Sequence, residues 1–173
     1  MLELETGNPL VAMHHCTELT HVAAQMGDGS EAPHAAALNA LTQYVLQEKH
    51  ATEHLEQSCQ NLQCIDSPRM LAYIQTIAAQ WDLRQGNLEQ AIARAEVALE
   101  AAQIVSNPSE IALSWSVIIQ AGYQRGNRKC AQQHFADLKT KLKAQALSAQ
   151  AQQRMAALED CLFDSMPITQ EVD

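Results

Sequence analysis

The chain has 173 residues, of which 47% are hydrophobic and 18% charged, enough to bury a sizeable core within a single domain. Aromatics make up 4%, Ala and Leu dominate the apolar share, Gln dominates the polar share, and Gly 6 and Pro 5 are few, so an all-α fold is expected and sandwiches, barrels and parallel sheets are disfavoured. The formal charge of -9 argues against direct contact with nucleic acid or an anionic membrane, and residues 1–68 carry most of it, with nine Asp/Glu against Lys49 alone.

Proline fits a first helical turn and glycine a helix C-terminus, so the two residue types punctuate the chain. Asn8-Pro9 opens a segment closing at Gly27-Asp28-Gly29, Ser67-Pro68 opens one closing at Gly86-Asn87, and Asn107-Pro108 opens one closing at Gly126-Asn127. Between these marks apolar residues recur at helical spacing: Leu71, Ile74, Ala78 and Trp81, then Leu88, Ile92, Ala95 and Leu99, then Ile111, Trp115 and Ile118, then Phe135, Leu138 and Leu142. The pattern predicts helices over 9–26, 33–48, 50–64, 68–85, 88–105, 108–125, 128–143 and 146–163, with 164–173 a flexible tail.

Pro68 to Pro108 and Gly86 to Gly126 share one offset of 40 residues, which also superposes Ala91 on Ala131. A weaker copy starts at Pro33, turns at Lys49-His50 without glycine, and matches Leu55 and Leu62 to Ile92 and Leu99. Two antiparallel helices cannot bury their apolar faces alone, so such repeats stack on their neighbours as a solenoid. The segment Trp115-x-x-Ile118 … Tyr123-Gln-Arg-Gly126-Asn127-x-x-x-Ala131-x-x-x-Phe135 resembles a tetratricopeptide (TPR) repeat, and Gly86-Asn-Leu-Glu-Gln-Ala91-Ile-x-x-Ala95 resembles the turn and second helix of another. Ile119 stands where that pattern has a small residue and Gly122 where an aromatic is common. The resemblance implies one TPR-like domain over 1–173, with its clearest repeats at 68–107 and 108–143 and helices 9–26 and 146–163 as caps.

Few constellations suit catalysis. His50-Ala-Thr-Glu53-His54 fits H-x-x-E-H, in which two histidines one turn apart bind zinc and the glutamate acts as general base; the alternative is a solvated helix start. His14, His15, Cys16 and His21 cluster on one predicted helix but lack a second cysteine or an acid at ligand spacing. The five cysteines (Cys16, Cys59, Cys64, Cys130, Cys161) are odd in number and form no C-x-x-C pair, and the glycines build no phosphate loop. The N-terminal residues show no basic and apolar leader, and no stretch stays apolar for the ~18 residues of a membrane span, so a soluble, cytoplasmic protein without cofactor is expected.

The run Arg125, Arg128, Lys129, Lys139, Lys141 and Lys143 reads as a solvated basic face or a contact for an acidic partner, including a second copy. The terminal Gln170-Glu-Val-Asp173 resembles the chaperone tail that certain TPR domains clamp. Where TPR arrays bind peptides they use the first helix of each pair. Carrying that register over puts Tyr73, Thr76, Gln80 and Arg84 on one groove wall, and Leu113, Ser116, Gln120, Tyr123 and Gln124 on the next. Asn39, Gln43 and Gln47 are the equivalents in the weak repeat. Such an amide-rich groove suits a peptide or helix of a protein partner, and the expected function is a non-enzymatic interaction module, whether scaffold, adaptor or regulatory domain. Homo-oligomerisation through a terminal repeat is a further reading.

Overall fold

The computed structural model describes residues 4, 7–26 and 29–163. Gly27, Asp28 and the tail at 164–173, with its Gln170–Asp173 motif, lie outside the described residues. Among the described residues the fold is all-α, with helices α1 (Pro9–Met26), α2 (Glu31–Val45), α3 (Ala51–Cys64), α4 (Pro68–Gln85), α5 (Leu88–Ile104), α6 (Pro108–Gln124), α7 (Arg128–Leu142) and α8 (Ala149–Phe163). Sequential neighbours pack on one another from α1 to α4 and from α4 to α7. The even-numbered helices also touch in order, α2 on α4, α4 on α6 and α6 on α8.

Prolines open α1, α4 and α6 as the sequence predicts, and α1 and α4 keep their expected bounds. Elsewhere the ends shift for local reasons. Helix α2 runs from Glu31 to Val45 instead of 33–48, because Gln47 leaves the helix with φ 56°. Helix α3 starts at Ala51, since His50 is left-handed with φ 61°. Helix α8 starts at Ala149 rather than 146, because the Ser148 hydroxyl accepts from Ala151 N at 3.3 Å and caps the helix there. Helices α5, α6 and α7 stop one residue short of expectation, at Ile104, Gln124 and Leu142.

The reversals share one geometry. Positive φ occurs at Gln47, Asp66, Gly86, Ser106 and Gly126, and after each the next amide donates back into the ended helix: Glu48 to Gln43, Ser67 to Leu62, Asn87 to Asp82, Asn107 to Ala102 and Asn127 to Gly122, at 2.9–3.1 Å. This six-to-one bond satisfies a carbonyl that the helix end would otherwise orphan. The turn after α2, which carries no glycine, thus makes the same reversal as those at Gly86 and Gly126.

Apolar burial largely follows the predicted stripes in α4 and α7, but in α6 Ile111, Trp115 and Ile118 are half-buried and Ala112, Leu113, Val117 and Ile119 take the core positions. Leu41, Leu55, Leu62, Ile74, Ile119, Phe135 and Leu158 are fully enclosed. Ala79 and Leu83 of α4 cluster with Ala91 and Ala95 of α5 and with Val117 and Ala121 of α6, and the small side chains among them bring the backbones close. Helix α1 gives the core only Ala12, Cys16 and Ala23, and leaves Leu10, Val11, Leu19, Val22 and Met26 exposed.

A polar network crosses this core. Asp82 of α4, 1% exposed, accepts from the Tyr44 hydroxyl of α2 at 2.6 Å and from Arg94 Nε of α5 at 3.1 Å. Arg94 Nη1 donates to Gln75 Oε1 at 3.2 Å, and its guanidinium lies 4.9 Å from the centre of the Tyr44 ring. Burial raises the Asp82 carboxyl above the usual range, opposed by the Tyr44 hydrogen bond and by Arg94. Burial, with the bond and charge of Asp82 behind it, pushes the Tyr44 phenol up to about 12.

Removing Asp82 leaves a buried guanidinium without its counter-charge, so Asp82→Ala is expected to lose about 3–5 kcal/mol in urea unfolding at neutral pH. The Tyr44 shift sets a pH window. Because its folded value of about 12 exceeds the ordinary 10.0, the unfolded chain ionises first, and stability present below pH 10.0 falls as pH rises toward about 12. Thermal midpoints across that window are expected to fall less steeply in Tyr44→Phe than in the wild type; equal slopes would break the assignment.

Candidate partner-binding cleft

Helical spacing sets two positions of α4 and two of α6 on a common face. Gln80 and Arg84 are one turn apart, as are Gln120 and Gln124, and α4 lies beside α6. With Leu83 of α4 and with Gln150, Gln153, Arg154 and Ala157 of α8 they line an open cleft of about 460 Å³. Among the described residues no carboxylate lines it. Four of the residues expected on the groove walls are thereby brought together, joined by α8, a helix that the sequence suggested only as a cap.

Arg154 is the side chain that sequence reasoning missed. Its Nε donates to Ser116 Oγ at 3.3 Å and its Nη2 donates to Gln120 Oε1, so α6 fixes the guanidinium in the half-buried floor of the cleft. Burial, and behind it the like charge of Arg84, lowers its pKa from the ordinary arginine value. Arg84 is exposed at the cleft rim. Among the described residues neither arginine is paired with a carboxylate, whereas Arg94, Arg125 and Lys139 are paired with Asp82, Glu89 and Glu159.

The cleft continues into an apolar recess of about 220 Å³ that shares Gln80, Arg84 and Gln150. Val45, Ile77, Trp81, Gly7, Pro9 and Leu4 complete its walls. Leu4 is buried at 7% exposure and belongs to the same core as Leu41 and Ile77. The recess therefore joins the N-terminal part of the described chain to α2, α4 and α8.

The other predicted wall residues lie elsewhere. Thr76 and Ser116 are buried; Thr76 pairs with Ser114 across α4 and α6 at 3.1 Å, and Ser116 donates to Leu113 O while accepting from Arg154. Leu113 is part of the core around Phe135. These three positions offer no surface to a partner. Tyr73 is half-buried in a separate recess with His34, Ser67 and Asn107, and Tyr123 is covered on one face by Arg128, 5.4 Å from its ring centre. In the first hairpin Gln43 meets His54 of α3 at 3.1 Å, Asn39 is half-buried with its carbonyl oxygen unbonded, and Gln47 sits in the turn beside Tyr44 and Asp82.

The histidines are engaged separately. His50 Nδ1 bonds Glu53 at 2.7 Å while His54 Nδ1 turns to Gln43, so the two rings of the H-x-x-E-H segment are committed to different partners. His14 and His15 both approach Glu18 at 3.6 Å, and His21 bonds Gln25. Among the described residues no three His, Cys, Asp or Glu side chains converge as a metal site. Cys16 and Cys59 are buried, and burial pushes the Cys59 thiol up to about 11, which keeps it protonated near neutral pH. Among the described residues no helix is long and apolar enough to cross a membrane.

Comparison with protein-family models, curated proteins and solved structures gives no match to this chain. Its functional reading therefore rests on the cleft.

Arg154 ties α6 to α8 through two hydrogen bonds from a charged donor worth about 1.5–3 kcal/mol each, beside the bond of 2.8 Å from Ser148 N to Ser109 Oγ. Arg154→Ala is accordingly expected to raise amide hydrogen exchange across 149–163 by about tenfold or more while α4 and α5 stay protected. Unchanged exchange in α8 would show that the Arg154 bonds do not seat this helix.

Proposed function

We propose that the chain is a TPR-like α-solenoid, a non-enzymatic interaction module that takes a peptide or helix of a partner protein along the surface lined by α4, α6 and α8. The observation that carries this reading is the cleft itself: amides and arginines from three helices face one open channel and are not consumed by internal ion pairs. Carboxamides donate and accept, so they can meet the main chain of a bound segment whatever its side chains. The repeat reading draws support from the common reversal geometry at Gln47, Gly86 and Gly126, and from the ordered contacts between even-numbered helices. A catalytic reading finds less support, because the titratable groups with large shifts, Tyr44 and Cys59, are structural parts of the core and stand apart from the cleft.

The test is affinity capture from the native host's lysate with three folded proteins: wild type, a cleft variant (Gln80→Ala, Arg84→Ala, Gln120→Ala, Gln124→Ala) and a control altered on exposed positions of α3 and α5 (Gln57→Ala, Gln103→Ala). A partner retained by wild type and control but reduced about tenfold or more by the cleft variant is the expected result. A partner bound equally by all three would move the interaction off the cleft. A stoichiometric zinc in the purified protein, lost in His54→Ala, would instead favour a metalloprotein.

A further inference from the structure

The cleft has a chemistry more specific than amide lining. Two guanidiniums face one water-accessible space that no carboxylate lines among the described residues, and Arg154 is held there by Ser116 and Gln120. Holding a half-buried cation beside a second cation is unfavourable in the empty site, and the effect is visible as the depression of Arg154 by burial and by Arg84. An anion entering between them removes that repulsion. Because Ser116 and Gln120 engage only Nε and one Nη of Arg154, other N–H donors of its planar fork remain to meet a carboxylate.

The adjoining recess adds a second requirement. It shares Gln80, Arg84 and Gln150 with the cleft, so a ligand at the arginines lies within reach of Ile77 and Trp81. The recess is walled by Leu4, Val45, Ile77 and Trp81, and its volume of about 220 Å³ leaves room for an aliphatic side chain. A small dicarboxylate would use the arginines and leave this apolar wall idle. A peptide uses both.

Resting on the interaction reading above, we propose that the cleft recognises an acidic segment of a partner protein, Arg84 and Arg154 together taking one Asp or Glu side chain while a neighbouring aliphatic residue enters the recess beside Ile77 and Trp81. Gln80, Gln124 and Gln150 then meet the segment's main chain. Recognition of this kind falls with added salt, since Arg84 at the rim is exposed to screening.

The experiment selects binders to the full chain from a phage library of random peptides fused through their C-termini, so that no terminal carboxylate is available. Expected are clones that pair Asp or Glu with a nearby Leu, Ile or Val. A synthetic, amide-capped copy of the leading clone should bind about tenfold or more weaker to Arg84→Gln, and weaker by a similar factor when its acid is changed to the amide. Arg84 makes no internal hydrogen bond or ion pair among those described, so this variant leaves the fold intact. Enriched peptides without acids, or binding indifferent to Arg84→Gln, overturn the carboxylate assignment. If such binding still falls in Gln80→Ala, Gln124→Ala, the cleft remains a peptide site of other chemistry; if it does not, or if nothing is enriched, both readings fail. Peptides recovered only from a library with free C-termini overturn the side-chain assignment in favour of a terminal carboxylate.

Discussion

Asp82 ties three helices at one carboxylate, with Tyr44 reaching it from α2 and Arg94 from α5. An alanine-lined interface such as that between α4 and α5 is tolerant of sliding and rotation, because small side chains offer few knobs to lock a register. A buried ion pair costs desolvation, and its return is geometric: only one rotation of α4 places Asp82 against both partners. The same rotation governs the cleft. Residues 80 and 84 lie on the helix face opposite residue 82, so burying Asp82 is what turns Gln80 and Arg84 outward. Core specificity and cleft geometry are thus two sides of one helix.

The fold was largely legible in the sequence where residue types have strong backbone preferences. Pro68 and Gly86 bracket α4 to the residue, and the apolar stripes mark the buried faces of α4 and α7, whereas the α6 stripe of Ile111, Trp115 and Ile118 is half-buried. The turn after α2 was less legible, because Gln47, with no intrinsic preference for positive φ, makes it where the turns after α4 and α6 use glycine. The site was half legible. The register carried over from the repeat resemblance named Gln80, Arg84, Gln120 and Gln124, but a stripe on one helix carries no information on how near its neighbour lies, so Thr76, Leu113 and Ser116 look exposed in sequence and are consumed by packing between α4, α6 and α8. The signal available for Arg154 was modest: it is the lone basic residue of α8, set among glutamines.

Charge is distributed on two scales. The chain carries -9 overall, whereas among the described residues the cleft is lined by two cations and no acid. At physiological ionic strength fields of exposed charges decay over about 8 Å, so the global negative charge acts mainly on approach and the arginines act only on contact. Discrimination at the cleft is therefore local and short-ranged, and the acidic surroundings work against indiscriminate capture of polyanions.

The shared reversal also bears on how the chain reaches this arrangement. Each of the five turns is closed by an amide that donates to a carbonyl only five residues back, so every hairpin defines its own hand and length without reference to distant chain. Folding dominated by such near-neighbour contacts is fast and can begin in more than one place. The alanine-lined α4–α5 hairpin is the natural starting point, since it needs little side-chain ordering, and growth outward would add α6 on one side and α2 on the other. Tyr44 meeting Asp82, across 38 residues, then marks the step at which the first hairpin stops being an independent unit.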